Sequence, residues 1–313
     1  MNKKVATERN DILISFRRAQ SFFRNRLAKM FRTWLIAATI FSLAPVALQA
    51  AGRAECRTIQ SRILGRAVRY CVLLPPSYDS EKTRRYPVLY HLHGLGDNER
   101  SLLRFGGWEM VEQLQESRRI GEFLIVAPDG GRGFYINSRD GSERYEDFFT
   151  AEFIPAMERR YHVLGNRAGR GVTGFSMGGY GALRLAFLHP QLFGSVSAHS
   201  AALFDDMPAD VAESLGGSSR PFGKPFDASF WRQNTPVTLA KAASLKGLKI
   251  YFDCGRQDDY GFDAGAQALH AALEKRGIPH EFHLYPGNHT WQYVAEHFDE
   301  SLAFHWRAFA TQR

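Results

Sequence analysis

The chain has 313 residues, with 40 Lys and Arg against 32 Asp and Glu and a net charge of +8. That charge is unevenly placed: residues 1–50 hold nine basic and two acidic side chains, leaving 31 against 30 over residues 51–313. A near-neutral remainder without a Lys/Arg stripe among aromatics excludes a nucleic-acid-binding protein, so no nucleic-acid partner is expected.

The basic stretch 1–32 runs into apolar residues 34–48 and ends in Gln49-Ala50-Ala51-Gly52. This pattern predicts a secretory signal peptide over residues 1–50, cleaved after Ala50, and a secreted or periplasmic product. The apolar run is short for a bilayer span, so membrane contact is expected only through an uncleaved leader. Met30 offers a second start with a leader of ordinary length. Residues 51–313 suit one α/β domain, and no internal repeat, heptad or low-complexity tract interrupts them.

In chain order, strand-like segments 56–63 and 67–74 predict a hairpin carrying Cys56 and Cys71. A two-residue turn at Leu64-Gly65 places Cys71 opposite Thr58, two residues out of register with Cys56. A bridge and two free thiols both fit, since export permits disulfides. Segment 86–92 reads as a strand, 99–103 and 108–117 as helices, and 123–127 as a short buried strand. Segment 145–161 reads as an amphipathic helix with Phe148, Phe149, Phe153, Ile154 and Met157 inward. Then come a strand ending at 171–173, a helix over 180–188, and strands at 194–198, 249–254 and 281–285. Helices are predicted at 264–276 and 291–310. The alternation predicts a mainly parallel twisted sheet with helices on both faces and an antiparallel hairpin at its start. Residues 203–247, rich in Asp, Pro, Gly and Ser, break the rhythm and predict a cap-like insertion over the sheet's carboxyl edge.

Gly174-Phe175-Ser176-Met177-Gly178 fits G-x-S-x-G between a strand and a helix, the setting of a nucleophile elbow. The bland alternative is a Gly-rich loop with an N-capping serine. A catalytic serine needs a base and an acid later in the chain, at strand ends. Asp253, Asp258 and Asp259 follow or end one strand, and Asp258 stands just past a glycine-bearing turn, so it is the acid of choice. His289, on the loop after the last strand, is the base of choice, with His199 as its rival. Oxyanion donors are expected from the backbone N–H of Met177 and of Leu95, the latter in the glycine turn after strand 86–92. His91 and His93 form an H-x-H pair, but no third ligand lies nearby in sequence, and no metal or cofactor is expected. Of the aromatics near the motifs (Trp108, Phe134, Tyr135, Tyr180, Trp231 and Trp291), Trp108, Tyr135 and Trp291 are singled out for a substrate pocket.

Six segments carry a resemblance: YHLHGLGDNE at 90–99, VAPDGG at 126–131, FFTAEFIPAMERRY at 148–161, GFSMGGYGAL at 174–183, DCGRQDD at 253–259 and GNHTW at 287–291. In this order they resemble the putative-esterase family of the α/β-hydrolase superfamily. It groups esterase D and S-formylglutathione hydrolases, enterochelin- and feruloyl-esterase relatives, and mycolyltransferases. The resemblance implies an α/β-hydrolase fold and a Ser176-His289-Asp258 triad cleaving acyl or feruloyl-type esters, small or polysaccharide-linked, without a cofactor. An acyltransferase on the same triad and a non-catalytic binding protein keeping the fold are the alternatives. A formylglutathione thioesterase fits less well, because that substrate is cytosolic and this chain carries an export-like leader.

Overall fold

The computed structural model describes residues 52–204 and 221–311. The leader expected at 1–50 lies outside them, as do residues 205–220 of the insertion. The described chain opens with strands Arg53–Gln60 (β1) and Ala67–Leu74 (β2). Strand Val88–Leu92 (β3), helices Ser101–Arg104 (α1) and Gly107–Glu116 (α2), and strand Leu124–Pro128 (β4) follow. Helix α3 is composite: Tyr145–Asp147, a π-helical stretch Phe148–Phe153, then Ile154–Arg160. The second half contains Arg170–Phe175 (β5), Met177–Leu188 (α4), Ser195–His199 (β6), Ala228–Asn234 (α5) and Pro236–Ala240 (α6). Lys249–Gly255 (β7), Phe262–Lys275 (α7), Glu281–Tyr285 (β8) and Trp291–Ala310 (α8) complete it.

The described strands make one eight-stranded sheet in the order β1-β2-β4-β3-β5-β6-β7-β8. Both pairings of β2 are antiparallel and every later pairing is parallel, so the sheet is the mainly parallel one that the sequence predicts. Side chains alternate across it, as period-two geometry requires. Val88, Tyr90 and Leu92 of β3 enter one apolar cluster with α3, α4 and α7, while Leu89 enters a second with α2 and α8. Burial on both faces explains why the central strands read as continuous apolar runs. Among the described residues no helix is long and apolar enough to cross a membrane.

The hairpin departs from expectation. β1 ends at Gln60 and six residues connect it to β2, so Cys56 pairs directly with Cys71 and the two form a disulfide. The longer turn has a physical cause. Glu152 of α3 accepts hydrogen bonds from the Ser61 hydroxyl and from the amides of Arg62 and Ile63, and the Ser61 hydroxyl accepts the Leu64 amide. These bonds hold residues 61–64 out of the ladder, and the register shifts by two. In the described part of the 203–247 insertion, α6 packs against α4 and α7.

Candidate active site

Ser176 stands between β5 and α4 with φ 56° and ψ −117°. A non-glycine residue at positive φ is strained, and such strain persists only where neighbours over-determine the backbone. They do so here. The Ser176 amide donates to the His199 carbonyl at 3.0 Å, and its own carbonyl accepts the amides of Tyr180 and Ala202, each at 3.0 Å. Two glycines make the crossing possible. A Cβ on Gly174 would lie 2.3 Å from the Gly178 backbone, and one on Gly178 would lie 1.9 Å from the Leu92 carbonyl oxygen. The motif glycines are therefore contact points between β5, α4 and the end of β3.

β7 and β8 deliver the partners. The turn after β7 binds the loop after β8 through Arg256 N–H to Tyr285 O at 2.8 Å and Gln257 N–H to Gly287 O at 3.0 Å. His289 is aimed by its own amide, which donates to Asp259 Oδ2 at 3.1 Å. Its ring stacks on Phe175, with centroids 4.7 Å apart, and meets the edges of Tyr260 and Phe262. His289 Nε2 lies 2.9 Å from Ser176 Oγ, and Nδ1 lies 2.8 Å from Asp258 Oδ2. Burial alone would raise the Asp258 pKa. The hydrogen bond and charge of His289, with the amides of Tyr260 and Phe262, outweigh burial and hold it below the ordinary carboxylate value. Asp258 is thus a carboxylate facing a ring N–H.

The other candidates are placed elsewhere. Asp259 serves the His289 backbone, and Asp253 is buried, accepting the Tyr293 hydroxyl at 2.9 Å. His199, the rival base, is buried beneath the serine. Its Nδ1 lies 2.8 Å from Asp253 Oδ2 without hydrogen-bond alignment, and its Nε2 bonds Ser301 Oγ at 2.9 Å. It touches the nucleophile only through its backbone carbonyl.

Above Ser176 opens a cleft of about 700 Å³. Leu95 and Met177 line it together with the serine, and among the described residues neither backbone N–H donates a hydrogen bond. Phe134, Trp231 and Trp291 are in its walls. Two of the three aromatics singled out from sequence are not. Tyr135 is fully buried, its hydroxyl bonded to the His93 carbonyl, and Trp108 packs in the α2–α8 cluster and against Gly52. Phe105, Phe204, Tyr260 and Phe262 line the cleft without having been singled out. Tyr260 and Phe262 directly follow the Asp258 turn, and Phe105 follows the 90–99 motif. Proximity to a motif's end was the signal available for them.

Comparison with known proteins identifies the family. Residues 61–305 match the Esterase family model, described as "Putative esterase". Esterase Rv1288 of Mycobacterium tuberculosis is 33% identical over 249 residues, covering 71% of this chain and 52% of that protein. The chain thus spans about half the length of that curated relative. S-formylglutathione hydrolase of Mus musculus is 26% identical, covering 76% of this chain and 88% of that protein. Among solved structures, a ferulic acid esterase superposes with a TM-score of 0.74 at 27% identity, covering 83% of this chain and 99% of that one. An S-formylglutathione hydrolase from Agrobacterium tumefaciens superposes with a TM-score of 0.69 at 20% identity, covering 83% and 96%. On the match over residues 61–305, the chain belongs to this esterase family, built on the α/β-hydrolase fold.

Proposed function

We propose that the chain is an exported serine carboxylesterase that hydrolyses acyl or feruloyl-type esters, free or attached to a polysaccharide. The observation that carries this reading is the unbroken line from Ser176 Oγ through the His289 ring to a buried Asp258 carboxylate, set in the floor of an aromatic cleft. Ser176 Oγ attacks the ester carbonyl while His289 Nε2 takes its proton, and Asp258 stabilises the resulting imidazolium. The free N–H groups of Leu95 and Met177 receive the oxyanion. His289 then returns the proton to the departing alcohol, and water activated by the same ring releases the acyl group.

The feruloyl reading draws support from the aromatic walls and from the likeness to a ferulic acid esterase. Flat rings stack favourably on an aryl acid. Export draws support from the leader-like N-terminus and from the Cys56–Cys71 disulfide, which is at home in oxidising compartments. Ser176→Ala should lower p-nitrophenyl acetate turnover by at least about 10⁴-fold. Retained turnover in that variant would falsify the assignment. A panel of short acyl, long acyl and feruloyl esters, run with and without sugar acceptors, ranks the substrates and reveals transfer to an alcohol if it competes with water.

A further inference from the structure

His93 is one residue before the Gly94–Leu95 peptide and takes no part in the Ser176–His289–Asp258 line. It is buried, and both of its ring nitrogens are engaged. The Gly130 amide lies 2.9 Å from Nε2. An amide N–H only donates, so Nε2 must be the bare, accepting nitrogen and the ring proton must sit on Nδ1. Nδ1 lies 2.8 Å from the Gly94 carbonyl oxygen, which only accepts. Asp129 Oδ1 stands 3.6 Å from Nε2, beyond hydrogen-bond length, and does not compete for that tautomer.

The Gly94 carbonyl and the Leu95 N–H belong to one peptide unit. That unit is planar and trans, so its C=O and N–H point in opposite directions. Fixing the carbonyl on the inner side aims the N–H at the opposite side, where Leu95 borders the cleft beside Ser176. Two further contacts fix this loop, one of them on the same carbonyl. The Tyr135 hydroxyl donates to the His93 carbonyl at 3.0 Å, and the Asp97 amide donates to the Gly94 carbonyl at 3.2 Å, closing the turn. The Asp97 bond stays within the turn, whereas among the described residues the His93 ring ties the Gly94–Leu95 peptide to the segment after β4, through Gly130.

Resting on the esterase reading above, we infer that His93 is a positioning residue: its Nδ1–H holds the Gly94–Leu95 peptide so that the Leu95 N–H meets the developing oxyanion. Two substitutions separate its two hydrogen bonds. In His93→Asn the amide nitrogen occupies the place of Nδ1 and still reaches Gly94. In His93→Gln the amide oxygen occupies the place of Nε2, keeping Gly130 and releasing Gly94. Purified variants are compared by kcat and KM for p-nitrophenyl acetate, by inhibition with phenylboronic acid as an oxyanion mimic, and by melting temperature. His93→Gln should lose about tenfold or more in kcat, with KM changed less than about twofold. Its phenylboronate affinity should fall in step, towards the roughly 10²–10³ cost of losing an oxyanion donor. His93→Asn should keep kcat within a few-fold. Undiminished kcat in folded His93→Gln, or a loss of more than about tenfold in folded His93→Asn, overturns the inference. If His93→Gln does not fold, His93→Asn decides alone. Wild-type protein that turns over no ester sinks the esterase reading and this inference together, whereas an active wild type with an unimpaired His93→Gln sinks this inference only.

Discussion

At the residue scale the chain holds two His–Asp pairs within a few ångströms of the elbow, and their surroundings separate their roles. His199 and Asp253 are sealed under the sheet edge, with Ser301 and Tyr293 taking their remaining polar atoms. His289 and Asp258 stand at the cleft, with one ring nitrogen turned to Ser176. If Asp258 fixes the tautomer of His289, then Asp258→Asn should lower kcat by about 10⁴-fold while leaving KM close to its original value. Steady-state kinetics on p-nitrophenyl acetate test this, and a loss of less than about tenfold would assign the orienting role elsewhere. The sequence led to these positions because a strand end followed by a glycine turn is a geometric statement in itself. It failed for Trp108 and Tyr135 because closeness along the chain to a motif says nothing about which way a ring faces. Phe134 and Tyr135 are both at positive φ, a backbone feature that no residue type there announces, and of the two neighbours one ring lines the cleft while the other is fully buried.

At the element scale the hairpin shows where sequence reading stops. Its two strands were legible from their apolar and β-branched residues, but their register was not. Register follows the turn, and the turn is set by Glu152, about ninety residues away on α3. Helix α3 is the converse case. Phe148, Phe149, Phe153, Ile154 and Met157 are all buried as their spacing predicts. The π-helical widening at Phe148–Phe153 leaves no trace in that pattern, because the same residues stay inward. β1 is the exposed edge of the sheet and buries little apolar area, so the Cys56–Cys71 bond is its covalent tie to β2 beside the eight-residue ladder. The bond closes a loop with a sequence separation of 15. Closing such a loop restricts the unfolded chain by about 3 kcal/mol in the chain-entropy treatment. Reduction, or Cys56→Ser, should therefore lower unfolding free energy by up to about that amount in urea titrations, with the cleft 's kinetics unaffected. A drop below about 0.5 kcal/mol would mean that the ladder alone holds β1.

At the scale of the whole molecule, the sheet face under α8 buries His91 and His305. His91 on β3 lies between Trp291 and Phe298, and among the described residues neither ring nitrogen has a hydrogen-bond partner. His305 on α8 spans the hydroxyls of Ser195 and Ser197 at 2.7 and 2.9 Å. Burial pushes both down from the ordinary 6.5 to about 3, with His93 and His199 adding repulsion at His91 and His199 doing so at His305. Folded protein therefore keeps both rings neutral where the unfolded chain has already taken up the protons. Their contribution to stability is complete above pH 6.5 and is lost as pH falls from there towards 3. In that window each costs about 1.4 kcal/mol per pH unit. Carboxylates held low by partners, Glu55 at about 2 and Asp258 below its usual value, act in the same direction only below the ordinary carboxylate range. The span from about pH 6.5 to 4.5 thus isolates the histidines. His91→Phe, with a ring suited to its aromatic neighbours, should flatten the stability profile there by about 1.4 kcal/mol per pH unit, read from urea titrations at about pH 6.5, 5.5 and 4.5. An unchanged slope would show that His91 takes up its proton in the folded state, and would leave the loss of stability in this window to His305.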